Sequence, residues 1–308
     1  MRVGPFMRLI FCCDPSNPRA PEPAFEREVE AARTLGIEFD LIDHDALVAG
    51  RRELVAPRLK TLASEEVAVF RGWMMKPAQY QHLHELLLER GRRLINTPEQ
   101  YRHCHHLPAS FAVIADHSPR SVWLKGAGVP STDELMRLLA PFGDGAVVVK
   151  DFVKSQKHAW AEACFIPNAS DLQHVERVVR RFIELQGTDL NEGLVFREFV
   201  ELERVGVHPR SGMPLSREFR QFFVDGEPAL GFKYWDEADY SGDFSPPDWL
   251  QSVAAKIESR FFSMDIARRT NGEWLIVEVG DGQVTGLPDA ADPLALFDSL
   301  RAFSRRSH

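Results

Sequence analysis

The stretch GEWLIVEVGDGQVTGLP, residues 272–288, decides the fold of this chain. Residues 274–279 are almost wholly apolar, which predicts a buried strand, yet this run contains the carboxylate of Glu278. A turn with several glycines follows and contains Asp281. Because a charge on a buried strand is costly unless it has a partner, the sequence predicts that Glu278 is either a functional group or half of an ion pair.

A second strand-like run, FFSMDIARR, precedes this stretch and contains Asp265. The Asn-Gly pair at positions 271 and 272 is a hairpin signal, and pairing the two strands across it places Asp265 opposite Glu278 or nearly so. Two carboxylates about 5 Å apart on neighbouring strands repel unless a cation separates them. A divalent metal ion bound to phosphate oxygens is one answer. The alternative is that one carboxylate faces solvent and the other pairs with Arg268 or Arg269.

The composition limits the class of protein. The 308 residues are enough for about two domains, and 44% hydrophobic with 27% charged residues is typical of a globular chain. The net charge of −8 argues against general binding to nucleic acid backbones. No apolar run approaches the roughly 20 residues that span a bilayer, and the four cysteines do not form a disulfide framework. We therefore expect a cytoplasmic protein that binds neither nucleic acid nor membrane.

The order of strand and helix signals predicts three modules. In residues 1–105, strand-like runs such as RLIFCC alternate with helical runs such as PAFEREVEAARTLG, which predicts βαβ units and a parallel sheet. Residues 106–190 are mixed, and strand signals dominate residues 191–308, with helices expected at 246–260 and 292–303. The predicted fold class is α/β followed by α+β.

Lysines cluster after one predicted strand. Lys150 ends the apolar run in DGAVVVKDF, where an ammonium group is expensive to bury without an anion and is suited to a phosphate. Lys154 and Lys157 follow in a stretch without apolar periodicity. That stretch is either a mobile loop over a polyanion or a solvated basic turn.

Two further arginines and one lysine are candidates for binding or catalysis. Arg220, in REFRQFFVDGEP, offers a planar donor fork to a phosphoryl group, or else forms a cross-strand ion pair with Glu198 or Glu218. Arg71 lies where a parallel strand is expected to end, the usual edge for ligands, so it is a candidate for holding a substrate carboxylate. An exposed arginine beside a core tryptophan is the alternative for Arg71. Lys233 follows a strand and is a candidate for the acceptor pocket.

The order of these features resembles the ATP-grasp superfamily of carboxylate–amine ligases. VVVKDF is similar to the family's strand that ends in a nucleotide-binding lysine, which implies that role for Lys150. EFR is similar to its phosphate-contacting strand and implies a catalytic role for Arg220. MDIA and VEVGDG are similar to its metal-binding strands, which implies that Asp265 and Glu278 bind two Mg²⁺ ions beside ATP.

The resemblance also implies the nucleotide contacts. VFREFVEL is similar to the hinge strand of the family, whose residues bind adenine and, slightly further on, ribose. The implied adenine contacts are Arg197, Glu198, Phe199 and Val200, and the implied ribose contacts are Glu201 or Glu203. The usual glycine-rich phosphate loop is absent after Lys150, so we expect side chains such as Lys154 and Lys157 to bind the phosphates.

Together with the absent glycine-rich loop, two further departures mark a divergent clade. The family usually has an asparagine two positions after the metal-binding glutamate, where this chain has Gly280, and Asp281 is the expected replacement ligand. An earlier lysine is missing, and RHCHHLP stands in its place. Its cluster His103, Cys104, His105, His106 lacks the second ligand pair of a zinc site, so we expect the imidazoles to cap a helix or face the nucleotide cleft.

The resemblance implies a parallel N-terminal βαβ domain at 1–105, followed by a two-lobed ATP-grasp fold with antiparallel sheets, its lobes at 106–190 and 191–308. It implies a ligase that joins a carboxylate of an amino acid, peptide or small acid to an amine, through an acyl phosphate and with release of ADP. The alternative is a catalytically silent nucleotide-binding or scaffold protein that keeps the fold. A homodimer is the expected assembly, since dimers are the commonest outcome for soluble enzymes.

Overall fold

The computed structural model describes residues 7–209, 214–238, 240 and 245–306. The strands are β1 Met7–Asp14, β2 Asn17–Pro21, β3 Phe39–Ile42, β4 Glu66–Arg71, β5 Arg92–Leu94, β6 Ser121–Lys125, β7 Val147–Asp151, β8 Phe165–Ile166, β9 Gly193–Glu198, β10 Arg204–Val207, β11 Pro214–Ser216, β12 Glu218–Val224, β13 Glu227–Lys233, β14 Phe261–Arg268 and β15 Trp274–Asp281. The helices are α1 Glu26–Thr34, α2 His44–Val48, α3 Arg52–Val55, α4 Pro77–Leu88, α5 Pro98–His105, α6 Leu107–Ile114, α7 Thr132–Leu139, α8 Trp160–Ala163, α9 Leu172–Gln186, α10 Trp249–Ala254 and α11 Pro293–Arg306.

The N-terminal sheet is the predicted parallel one. Strand β1 pairs in parallel with β3 and β4, β5 pairs in parallel with β4, and β2 adds an antiparallel edge. The interior of β1 is apolar on both faces because helices cover both faces of a parallel sheet. One of these helices is α11 from the C-terminal end, whose Arg301 donates to the carbonyl of Leu35 after α1.

The middle sheet is antiparallel, in the order β6, β9, β7, β8. The apolar face of α9 presents Val175, Val179 and Phe182 at helical spacing. It shares a core with valines of β7 and with Leu194 and Phe196 of β9. The sheet thereby holds the end of β7, where Lys150 lies, at a fixed place beside β9.

The C-terminal sheet is also antiparallel, in the order β13, β12, β14, β15. The run REFRQFFVDGEPALGF forms two strands of this sheet, because Asp225 and Gly226 turn the chain with φ values of 49° and 80°. Helices α5 and α6 bring Cys104, Leu107 and Ile114 into the core of this sheet. Strands β10 and β11 form a further, two-stranded antiparallel sheet. The mixed α/β architecture, with a mainly parallel sheet and antiparallel sheets, confirms the predicted fold class, while the domain boundaries stay a prediction.

Some elements differ from the sequence prediction. The helix expected at 246–260 is limited to Trp249–Ala254, and the short strands β6, β8, β10 and β11 were not predicted. In the described ranges of the chain, no helix has both the length and the apolar character needed to cross a membrane.

Candidate active site

The hairpin of β14 and β15 brings the two predicted acidic residues together. Asp265 is the direct cross-strand partner of Glu278, as the turn signal predicted. The register shifts by one between Asp265 and Ile266, so Val277 has no partner on β14. This bulge is needed for the pairing, because without it Asp265 would face Val277 instead.

Arg197 binds the backbone at this bulge. Its guanidinium donates to the carbonyls of Val277 and Ile276, and to Oγ of Ser118 at 2.6 Å. Arg197 is buried, on the central strand β9 of the middle sheet. The structure therefore places Arg197 as a link between the middle and C-terminal sheets, with its side chain buried.

Arg220 continues the row of charges on the neighbouring strand. It lies directly opposite Asp265, and its Nε and Nη2 donate to the two carboxylate oxygens of Asp265 at 2.7 and 2.8 Å. The guanidinium lies over the ring of Tyr234, 4.7 Å from the centroid. Arg220, Asp265 and Glu278 thus form one row across three strands on one face of the sheet. Arg220 is part of an ion pair, as the alternative expected, although its partner is Asp265.

Lys150 meets this row from the other sheet. Its Nζ lies 2.9 Å from Oε1 of Glu278. The side chain of Lys150 is 12% exposed, whereas that of Glu278 is 41% exposed and reaches solvent. We call the solvent-exposed space beside Glu278 the cleft. Burial works to raise the pKa of Glu278, but Lys150, followed by Lys157 and Arg220, brings the net pKa below its ordinary value.

The segment after Lys150 is fixed by one buried carboxylate. Asp151 accepts hydrogen bonds from the amide of Val153 at 2.6 Å and from Asn191, through its amide at 3.0 Å and its Nδ2 at 2.9 Å. Lys154 then extends to the surface. The carboxylate of Asp151 thereby fixes the turn that follows β7.

Lys157 extends from the same segment toward the charged row. Its side chain is exposed to solvent, so it lies in the cleft and not in the core. Desolvation works to lower its pKa, but Tyr234 and the carboxylates of Glu218, Glu278 and Asp265 raise the net pKa above the ordinary value. Lys157 is therefore a cation that acidic groups surround.

Glu218 is a member of the site that sequence reasoning did not assign. It lies two residues before Arg220 on β12 and thus on the same face, and it is buried. Burial raises the pKa of Glu218 to about 7, opposed by Lys157. The sequence signal for Glu218 was its spacing of two residues from Arg220, because residues two apart on a strand face the same side of the sheet.

The end of β9 presents an exposed aromatic group. Phe199 is 39% exposed, its ring is 5.0 Å from that of Phe165, and Trp160 stacks on Phe165 at 5.4 Å. Glu198 and Glu201 are also exposed, and Val200 is half-buried between them.

Glu203, the other expected ribose contact, is held in ion pairs. Its two carboxylate oxygens accept from Arg217 at 2.8 Å and from Arg268 at 3.3 Å. Glu201 is thus the one of the two that keeps an exposed carboxylate at this end of the strand.

Asp281 is not placed beside the acidic pair. Alternation along β15 puts Asp281 on the opposite face from Glu278, where it is fully buried. Its carboxylate accepts from Nδ2 of Asn96 at 2.6 Å and from the amide of Gln283 at 3.0 Å, and burial raises its pKa to about 7. The expectation of a third metal ligand is corrected, because Asp281 bonds to the N-terminal domain.

Arg71 is not available to a substrate. It is 1% exposed, and its Nε and Nη2 donate to Glu28 at 2.7 and 2.9 Å. Its Nη1 donates to the carbonyls of Gly282 and Thr285. The predicted role in binding a substrate carboxylate is therefore corrected to an internal contact between domains.

Lys233 also lies away from the row. It is the cross-strand partner of Phe219, so it shares the face opposite to Arg220, and its Nζ is 5.2 Å from the ring centroid of Tyr240. The structure does not bring it to the charged row. The reason is that side chains alternate between the two faces of the sheet along β12 and β13, which puts Lys233 on the other face.

The histidine cluster is packed inside the protein. The ring of His105 stacks on Tyr101 at 4.8 Å, and Cys104 is fully buried in the core. Both ring nitrogens of His106 lack a hydrogen-bond partner within the described structure, and Nδ1 lies 3.8 Å from the carboxylate of Glu192. Within the described residues no three His, Cys, Asp or Glu side chains are grouped as a metal site, here or elsewhere.

The two-carboxylate pair fits Mg²⁺ in the way that nucleotide enzymes bind it. Mg²⁺ takes one or two protein carboxylates and completes its shell with water and phosphate oxygens, so a third acidic residue is not required. Among the described residues, no hydrogen bond reaches Oε2 of Glu278, and that side chain borders the cleft. Asp265 uses one lone pair on each oxygen for Arg220, which leaves others for a cation.

The comparison with protein families agrees with this geometry. A family model described as ATP-grasp domain, R2K clade family 3, matches residues 141–300, more than half of the 308 residues. The chain belongs to the ATP-grasp superfamily. The matched segment contains Lys150, Arg220, Asp265 and Glu278.

Solved ATP-grasp structures share the fold over nearly the whole chain. The ligase PsnB, complexed with a phosphomimetic variant of its minimal precursor, Mg and ADP, is 15% identical, with 96% of this chain and 97% of that chain covered and a TM-score of 0.56. The D-cycloserine synthetase DcsG is 16% identical, with 96% and 99% covered and a TM-score of 0.56. The D-alanine–D-alanine ligase of Coxiella burnetii is 11% identical, with 99% and 95% covered and a TM-score of 0.61. No curated protein sequence matches the chain.

Proposed function

We propose that this ATP-grasp protein is an ATP-dependent ligase that joins a carboxylate to an amine through an acyl phosphate and releases ADP. The observation that carries the proposal is the row Arg220, Asp265, Glu278 with Lys150 opposite, at 2.9 Å from Glu278. Two opposed carboxylates, a planar donor fork and a buried ammonium are the groups that phosphoryl transfer requires. The carboxylate donor is an amino acid, peptide or small acid.

Each residue of the row has a proposed task. Asp265 and Glu278 would hold Mg²⁺, which would neutralise phosphate charge when bound. Lys150 and Lys157 bind the phosphates from the middle lobe, with Lys154 at the rim. Arg220 directs its guanidinium at the transferring phosphoryl group and at the charge that develops on it.

The nucleotide base is assigned to the aromatic group at the end of β9. Phe199 and Trp160 expose ring surface there, each 39% exposed, and stacking of a base on an aromatic ring is favourable. The exposed carboxylate of Glu201 is the proposed ribose contact. The adenine, ribose and phosphate contacts then follow the path from β9 to Lys150, since β9 and β7 are paired.

A silent nucleotide-binding protein is the second candidate. The bidentate pair of Arg220 with Asp265 favours it, because in that pair each group neutralises the other. The open side of Glu278 favours the ligase, because a carboxylate with a lowered pKa beside a cleft is suited to a metal ion.

ADP release separates the two candidates. The wild-type protein is incubated with Mg²⁺ and ATP, together with a pool of carboxylic acids, a pool of amines, or both. The ligase predicts ADP that depends on both pools and a condensation product detected by mass, and Glu278→Gln abolishes both. Glu273→Gln, on the exposed end of the same hairpin, is the matched control and keeps full activity. Nucleotide binding with no turnover from any pool would favour the silent protein.

A further inference from the structure

The segment that follows Glu278 forms hydrogen bonds with the N-terminal domain. We define residues 281–286 as the 281–286 turn. Within it, the amides of Val284 and Thr285 donate to the carbonyl of Asp281 at 3.2 and 3.1 Å. These local bonds close the turn, but they do not fix its position relative to the sheets.

Several external hydrogen bonds hold this turn, among them those of Asn96 to Asp281 and of Gly72 to Gln283, and Arg71 adds two more. Its Nη1 donates to the carbonyls of Gly282 and Thr285, the latter at 2.8 Å. Its other nitrogens are held by the carboxylate of Glu28 on α1, and the two side chains are 1% and 7% exposed. A buried guanidinium with a bidentate carboxylate behind it has one orientation, so the carbonyls it binds are held in place.

Arg220 contacts the same turn from the other side. Its Nη1 donates to the carbonyl of Gly286 at 3.2 Å, while its remaining nitrogens hold Asp265. The turn is therefore the shared acceptor of two arginines: Arg71 binds its beginning and middle, and Arg220 binds its end. A shift of the turn moves the carbonyl that Nη1 of Arg220 binds, while Asp265 holds the other two nitrogens.

We propose that the Glu28–Arg71 pair is a positioning device for the phosphoryl-transfer site, acting through the 281–286 turn on Arg220. This inference rests on the proposed function for its catalytic consequence, and it assigns the N-terminal domain a direct part in that half of the reaction. Arg71 is a positioning residue, since it touches neither the cleft nor the charged row. A misplacement of about 1 Å at such a site can cost about 100-fold in rate.

The competing explanation is that the pair only stabilises the fold. A second pair in the same domain serves as a matched control for this explanation. Arg92 is 2% exposed, donates to Asp40 at 2.7 Å, and also donates to the carbonyls of Lys60 and Arg90. Like Arg71, it binds one carboxylate and two carbonyls, although it binds Asp40 through one nitrogen and Asp40 also pairs with Arg8. Its carbonyl acceptors lie in the N-terminal domain and not in the 281–286 turn.

The experiment compares two double variants in which both partners become apolar. Replacing both members of a buried ion pair by apolar residues of similar volume is often close to neutral for folding. Glu28→Met with Arg71→Met removes the contact to the turn, and Asp40→Leu with Arg92→Met removes the control pair. Thermal unfolding, kcat and KM for ATP are measured for both, together with hydrogen exchange at the amides of Val284 and Thr285.

The proposal expects a specific pattern. The Glu28/Arg71 variant unfolds cooperatively at a midpoint similar to that of the control variant, yet its kcat falls by about 10-fold or more while its KM for ATP changes by less than about 3-fold. Exchange at Val284 and Thr285 accelerates by about 10-fold in that variant and not in the control. Arg71→Lys gives the same loss of kcat, because a compact ammonium cannot span a carboxylate and two carbonyls.

The outcomes that overturn the proposal are equally defined. Equal kcat in the two double variants means that the pair only stabilises the fold. If the wild-type protein shows no ligase turnover, the proposed function fails by itself, and the exchange measurement then decides the positioning role. Exchange at Val284 and Thr285 that is the same in both double variants refutes the contact as a positioning device.

Discussion

Lys150 and Glu278 lie on different antiparallel sheets, and the 2.9 Å contact between them joins the middle sheet to the hairpin of β14 and β15. Each side chain lies on a strand that is hydrogen-bonded to the neighbouring strands of its own sheet. The cleft between the lobes is therefore bordered by a cation from one side and a carboxylate from the other. This is the arrangement on which the proposed phosphate and Mg²⁺ contacts depend.

Removing the charge of Lys150 is expected to weaken nucleotide binding. Lys150→Met deprives the phosphates of a nearly buried point charge, and we expect the Kd for ATP with Mg²⁺ to rise by about 10-fold or more, measured by titration calorimetry. Lys125→Met is the control, because Lys125 is 69% exposed and pairs with Glu192 away from the cleft. An unchanged Kd for Lys150→Met would argue against a phosphate contact.

Breaking the pair of Arg220 and Asp265 is expected to reduce stability more when one partner remains. Asp265 is 5% exposed, so Arg220→Met leaves a buried carboxylate unpaired and costs about 3–5 kcal/mol of unfolding free energy. Adding Asp265→Leu is expected to recover a large part of that loss. Urea denaturation of the two single variants and the double variant measures the coupling. Losses that simply add would show that the two groups do not interact.

Gly280 is expected to resist substitution because of the hydroxyl groups around it. A Cβ at this position would lie 2.9 Å from Oγ1 of Thr285 and 3.0 Å from Oγ of Ser263, which bond to each other at 3.0 Å. Gly280→Ala is therefore expected to cost about 1–3 kcal/mol by overpacking. The same change in a Ser263→Ala, Thr285→Ala background is expected to cost less. An equal cost in both backgrounds, by urea denaturation, would exclude this steric cause.

His105 is expected to make the protein less stable in acid. Burial, with His106 next, lowers the pKa of His105 to about 3, whereas an unfolded histidine titrates near 6.5. As the pH falls from about 6.5 toward 3, His105 binds a proton in the unfolded chain but not in the native state. The free energy of unfolding therefore decreases by up to about 1.4 kcal/mol per pH unit. His105→Phe removes this contribution.

The unfolding free energy of His105→Phe and of the wild type is compared between pH 4 and 8. The expected difference between the two proteins changes with pH below about 6.5 and is constant above it. A difference that is constant over the whole range would show that His105 takes up its proton in the native state as readily as in the unfolded one.

The strands of the site were accessible to sequence reasoning because their signals are local. The Asn-Gly pair at positions 271 and 272 lies in the hairpin loop, and Asp265 is the partner of Glu278 as predicted. The pairs nearest the loop are shifted by one, and the bulge at Val277 restores this partnership. The apolar runs around Lys150 and Arg220 likewise predicted strands that the structure contains. Alternation and turn chemistry are properties of neighbouring residues, and a single sequence shows them.

What sequence reasoning missed depends on contacts between distant segments. Arg71 ends its strand as predicted, but its partner Glu28 and its carbonyl acceptors are brought to it by the fold. Arg197 belongs to the hinge strand, yet the bulge on β15 captures its side chain. Alternation along β15 places Asp281 on the face opposite to Glu278, and the sequence alone shows this. The prediction of a third metal ligand rested instead on the position of Asp281 next to Gly280, where the family has an asparagine.

Transfer of oxygen from the carboxylate to phosphate tests the central claim most directly. Carboxylate substrates labelled with ¹⁸O are incubated with ATP, Mg²⁺, amines and the wild-type protein, and the inorganic phosphate is analysed by mass. An acyl phosphate predicts one ¹⁸O atom in each phosphate released, and no labelled phosphate from Glu278→Gln. Condensation or ADP release that leaves the phosphate unlabelled would contradict the proposed ligase chemistry.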